Sequence, residues 1–173
     1  MAQQSSYSAL NQYHLGIWYS AYRLLISTGL LLIFLLTYPE LTTDYQYPQL
    51  YYYALGIGVA INTVQLFVLK WIRRLIQPQL IMIFFSDVCV LSLLTLASDG
   101  PNLQIGLLFV ITIFSASLLL DAKKALVVTL IAVISVIYQH FIGSIFAFSS
   151  LSNISNSALL AFLFFVVYGT GQI

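Results

Sequence analysis

Long apolar runs separated by short polar breaks dominate the chain. A membrane-spanning helix needs about 20 mostly apolar residues, within a range of roughly 17–25. Six such stretches are predicted: Trp18–Tyr38, Leu50–Leu69, Gln79–Ser98, Leu103–Leu120, Ala122–Phe146 and Ser155–Gln172. Turn formers punctuate the breaks. Pro39 and Pro48 bracket the first, and Pro78 precedes the third span. Ser98, Asp99, Gly100, Pro101 and Asn102 predict a tight turn, and Ser152, Asn153, Ser155 and Asn156 predict the fifth. The fourth break rests on Asp121, Lys123 and Lys124. One helix from Leu103 to Phe146 would far exceed the bilayer, so these charges mark a turn. None of the runs alternates as a barrel strand would. Helices are the other way to satisfy a backbone in lipid. The expected fold is an all-α membrane bundle of six transmembrane helices.

Composition agrees. Of the residues 61% are hydrophobic and 6% charged, against about a quarter charged in a soluble domain. So few charges cannot cover a soluble fold of this size. Residues 1–17 are polar or weakly apolar, with no basic start, short apolar stretch and cleavage site in that order. They are read as a cytoplasmic N-terminal segment ahead of a retained first span, with residues 18–173 forming the membrane domain.

The basic residues set the expected orientation. Arg23, Lys70, Arg73, Arg74, Lys123 and Lys124 all fall on one side if there are six spans. The opposite loops hold Glu40, Asp44 and Asp99. Short cytoplasmic loops carry the Lys/Arg excess, so both termini are expected inside. Trp18, Tyr19, Tyr22 and Trp71 are read as inner aromatic rims, and Tyr45, Tyr47, Tyr51, Tyr52 and Tyr53 as the outer one. The sixth span ends at Gly169–Ile173 without a basic anchor, so the natural chain is expected to continue into the cytoplasm.

Candidate chemistry is sparse. The chain shows no metal-ligand pair, no glycine-rich phosphate loop and no nucleophile–base signature. No catalytic residue, metal or cofactor is expected in it, and no nucleic-acid partner. His14 and His140 are read as interfacial groups. The single cysteine, Cys89, is read as a buried structural thiol. Asp87 is the one acid well inside a span. Such a residue costs at least ~2.5–3.5 kcal/mol on insertion scales and normally faces the bundle interior with a partner. It lies eight residues from Gln79, about 12 Å at 1.5 Å per residue. Asn62 lies eight residues before Lys70 on the antiparallel second span, at a similar depth. Arg23 sits roughly a turn into the first span, from the same side. Asp87, Arg23 and Asn62 are therefore expected to form an intramembrane polar cluster. Ser86, Cys89, Ser92 and Thr95 recur every third residue and are read as a core-facing stripe that lets helices approach closely. Gly56 and Ala60 form a small-xxx-small pair, read as intramolecular packing with a dimer contact as the alternative.

The stretch Asp87–Leu120 resembles the membrane sensor region of PilS-type histidine kinases, which control type IV pilus expression. The likeness is carried by the acid and the apolar run after it, by the turn Ala97, Ser98, Asp99, Gly100, and by the helix start Gly106, Leu107, Leu108. The opening Tyr22, Arg23, Leu24, Leu25 and the terminal Gly171, Gln172 are similar to the family as well. Asp99 departs from it, standing where a small residue is usual. The resemblance implies the six-span input domain of a kinase in the bacterial inner membrane, ahead of a cytoplasmic linker and kinase region. It also implies a homodimer that monitors pilin through its spans and acts on a PilR-type response regulator. The competing class is a small six-helix transporter or channel. Transporters usually show Gly/Pro-broken helices at matching places in two halves, and no span interior here contains proline.

Overall fold

A computed structural model describes residues 2–41, 47–71, 76–98, 103–146 and 152–172, with side chains described for 13–36, 47–71, 76–98, 105–138 and 157–172. Six helices follow one another: α1 (Ala2–Leu41), α2 (Pro48–Trp71), α3 (Ile76–Ala97), α4 (Leu103–Leu119), α5 (Ala122–Phe146) and α6 (Ser152–Gly171). Among the described residues there is no strand. The fold is an all-α bundle of six transmembrane helices. Within the described residues Tyr13–Leu36, Pro48–Trp71 and Ile76–Ala97 are each long and apolar enough to cross a membrane.

Local chemistry explains the helix starts. Pro48 opens α2, where its fixed φ suits the first turn and its missing N–H costs nothing. Pro78 sits within the first turn of α3 for the same reason. At α5 the carbonyl of Asp121 accepts from the backbone N–H groups of Lys124 and Ala125, at 2.9 and 3.0 Å. Asp121 thus stands at the N-terminal cap, where an acid is favoured by its hydrogen-bonding and by the helix dipole.

Two boundaries differ from the sequence reading. Helix α1 begins at Ala2, far ahead of Trp18, because the polar stretch before the span contains no proline and no glycine until Gly16. Helix α6 begins at Ser152, so the polar run expected as the fifth turn forms its first turns. Serine and asparagine are favoured at helix starts as well as in turns.

Helix α3 is the hub. It packs against α2, α4 and α5 and touches α1, while α1 lies chiefly on α2, and α6 on α4 and α5. The buried face of α3 runs through Leu80, Ile83, Phe84, Asp87, Val88, Leu91, Leu94 and Thr95, the three-and-four spacing of one helix face. Gly58 of α2 allows close approach, since a β-carbon there would lie 3.1 Å from Val90 Cγ1 of α3. At the far end of this pair the Tyr47 N–H donates to the Ala97 carbonyl at 3.3 Å.

Several packing expectations are corrected. Cys89 is exposed rather than buried, and Ser86 and Ser92 are half-buried. Three-residue steps advance 300° around a helix, so the stripe drifts 60° per step and leaves the core face. Only Thr95 reaches full burial in it, at 1% exposure. Gly56 has open space where a β-carbon would stand, and Ala60 is exposed. The pair therefore makes no close intramolecular approach, and Gly58 takes that part.

Candidate functional site

The polar centre of the bundle is built on one guanidinium. Arg23 of α1 forms an ion pair with Asp87 of α3 through Nη2 and Oδ1. The same Nη2 donates to Asn62 Oδ1 of α2 at 2.7 Å, and Nη1 donates to Gln65 Oε1 at 3.2 Å. Asp87 Oδ2 accepts from the Tyr19 hydroxyl at 2.8 Å. Asn62 Nδ2 in turn donates to Ser27 Oγ at 3.1 Å, and Gln65 Nε2 donates to Ser86 Oγ at 2.8 Å. Arg23, Asn62 and Asp87 are all buried. The three residues that depth arguments placed together thus meet, and their network ties α1, α2 and α3.

Helical spacing makes this possible. Tyr19, Arg23 and Ser27 follow at four-residue intervals on one face of α1, and Asn62 and Gln65 are three apart on α2. Arg23 is buried in this centre. It belongs to the interior cluster and not to the interfacial charges that bear on orientation.

Sequence reasoning missed Tyr19, Gln65 and Ser27. By residue type Tyr19 reads as part of an aromatic rim with Trp18 and Tyr22. Trp18 is 74% exposed and faces outward, but Tyr19 is buried. The Tyr19 ring packs against Phe84 with centroids 4.8 Å apart, and the Arg23 guanidinium lies 5.6 Å from the Tyr19 ring centre. The available signal was the four-residue step from Tyr19 to Arg23.

An ion pair taken out of water is favourable only when its geometry is good and its remaining donors and acceptors are satisfied. Here both carboxylate oxygens accept, and the two terminal guanidinium nitrogens both donate. The Arg23 Nε and the Ser20 hydroxyl, one turn apart, remain buried without a partner. A cleft between α1, α3 and α4 reaches this centre. Its apolar sides come from Ile26 and Leu30, Leu91 and Leu94, and Leu108 and Ile111, and Arg23, Asn62 and Asp87 line it as well. The cleft thus combines apolar sides with the polar groups of the centre.

Among the described basic residues, Lys70 ends α2, and Lys123 and Lys124 open α5. Lys124 reaches Gln77 at the start of α3, so these residues share one end of the bundle. Arg73 and Arg74 lie outside the described residues, as do Asp99 and the side chain of His140. His14 is exposed.

A family model described as the PilS-like transmembrane domain matches residues 6–171. The chain belongs to this family. The match takes in all six spans and the whole of the Arg23–Asp87 centre. No curated protein and no solved structure matches the chain. As a PilS-like transmembrane domain the chain is a multi-pass membrane protein.

Proposed function

We propose that this PilS-like domain is the input domain of a two-component sensor histidine kinase in the bacterial inner membrane, with both ends in the cytoplasm. It senses an intramembrane signal, the major type IV pilin, and passes it to cytoplasmic kinase domains that set the phosphorylation of a PilR-type response regulator. The domain works as a homodimer. The observation that carries this reading is the buried Arg23–Asp87–Asn62 centre beside an apolar cleft. Ionisable groups inside a membrane are costly and normally functional. A pilin presents an apolar helix bearing an acid, which the cleft walls and polar centre suit. A signal requires the ligand to bind one helix arrangement better than the other, and a network joining three helices gives it one to act on. The absence of proline from the span interiors favours this reading over a transporter or channel.

The experiment is a pilus-gene reporter in cells carrying the whole kinase. Asp87→Ala and Arg23→Ala each change the output difference between pilin-rich and pilin-free cells while the protein still inserts. A response to pilin equal to wild type in both variants removes the centre from sensing.

A further inference from the structure

The contacts at the Lys124 end of the bundle form a second polar assembly, separate from the Arg23 centre. The last turn of α6 is held on the turn between α4 and α5. The Tyr168 hydroxyl donates to the Ala122 carbonyl at 3.0 Å. Gln172 Nε2 donates to the Ser117 carbonyl at 2.9 Å. Ser117 lies in the last turn of α4, where carbonyls lack helical partners, so Gln172 satisfies a group the helix cannot. Gly171 lies against the Ser117 side chain so closely that a β-carbon would overlap the hydroxyl. On its other side the same turn is tied to α3. Lys124 Nζ donates to Gln77 Oε1 at 3.1 Å and to Asp121 Oδ2 at 2.6 Å. Gln77 is ten residues before Asp87 on α3, about 15 Å along a continuous helix.

We propose that the α4–α5 turn is a clamp that couples the helix bearing Asp87 to the end of α6, so that a shift of α3 moves the last turn of α6. The inference deepens the sensor reading, on which its purpose rests, by naming how a change at the centre travels to the end of the last span. A packed helix moves as a body, and shifts of about 1–2 Å are the usual scale of such switching. Hydrogen bonds on both sides of the turn fix it to α3 and to α6 at defined atoms. The route from Asp87 runs down α3 to Gln77, across Lys124 and Asp121, and through Ser117 and Ala122 to Gln172 and Tyr168. Gly171 is part of the fit, since any larger residue would push α6 off α4.

The test needs neither pilin nor kinase domains. Spin labels are placed at Met82→Cys on α3 and Thr170→Cys on α6, both exposed positions, with Cys89→Ser, and their distance is measured in lipid vesicles. Asp87→Asn, or Arg23→Gln if the former fails to insert, shifts the distance by about 1–2 Å. The shift is lost when Gln77→Ala is combined with Lys124→Ala, and when Tyr168→Phe is combined with Gln172→Ala. A shift that survives either cut undiminished overturns the clamp, and so does no shift in the uncut chain. Failure of the clamp in this test does not bear on whether the domain responds to pilin, which the reporter measures separately. A pilin-blind reporter with an intact shift would remove the sensor reading and leave the clamp standing.

Discussion

The Tyr19 hydroxyl bonds one oxygen of Asp87 while Arg23, one turn further along the same helix, pairs with the other. A carboxylate that accepts from both neighbours has its orientation fixed, and so does the packing of α1 on α3. Tyr19→Phe keeps the ring against Phe84 and removes only the hydrogen bond. A hydrogen bond to a charged group contributes about 1.5–3 kcal/mol. Thermal unfolding in detergent should show a loss on that scale, with helix content unchanged. An unaltered midpoint would mean that the hydroxyl contributes nothing to the centre.

Removing one member of the ion pair leaves the other charge buried. Arg23→Leu or Asp87→Leu alone should each destabilise the bundle by about 3–5 kcal/mol, and the double replacement should recover most of that loss. A double-mutant cycle by thermal or denaturant unfolding measures the coupling. Additive losses would show that the two side chains do not act as a pair.

Gly58 and Gly56 should respond oppositely to bulk. Gly58→Leu forces a side chain into Val90 across a gap already close to contact, at the cost of about 1–3 kcal/mol typical of overpacking. Gly56→Leu meets open space and gains helix propensity. Unfolding midpoints should fall for the first variant and hold or rise for the second. Equal losses would contradict the α2–α3 packing.

Orientation can be read by fusion. Alkaline phosphatase joined after Asp99 should be active, and joined after Lys123 inactive, because Lys70, Lys123 and Lys124 share the end assigned to the cytoplasm. The reverse pattern would place both termini outside.

The order and approximate extent of the helices were legible because lipid admits few alternatives to a helix, so each apolar run reads directly. The meeting of Arg23, Asn62 and Asp87 was legible because charge inside a membrane demands partners and depth along antiparallel helices can be counted. Rotation around each helix was less legible. Cys89 was placed in the core by a three-residue count that drifts, and Tyr19 was placed at a rim by residue type beside Trp18 and Tyr22. In α2 the pair Gly56 and Ala60 matched a packing pattern, yet neighbouring Gly58 meets α3. A run apolar all round carries little information about which face is inside, and only polar residues at four-residue spacing restore it.

The claim that the cleft beside Asp87 receives pilin is tested most directly by photocrosslinking. A photoreactive residue replaces Ile111, which lines the cleft on α4, or Phe162, which faces outward on α6 at 70% exposure. Both variants are irradiated in cells that make pilin. The account predicts a pilin adduct from position 111 that is lost with Asp87→Ala, and none from position 162. No adduct at 111, or equal capture at both positions, would contradict it.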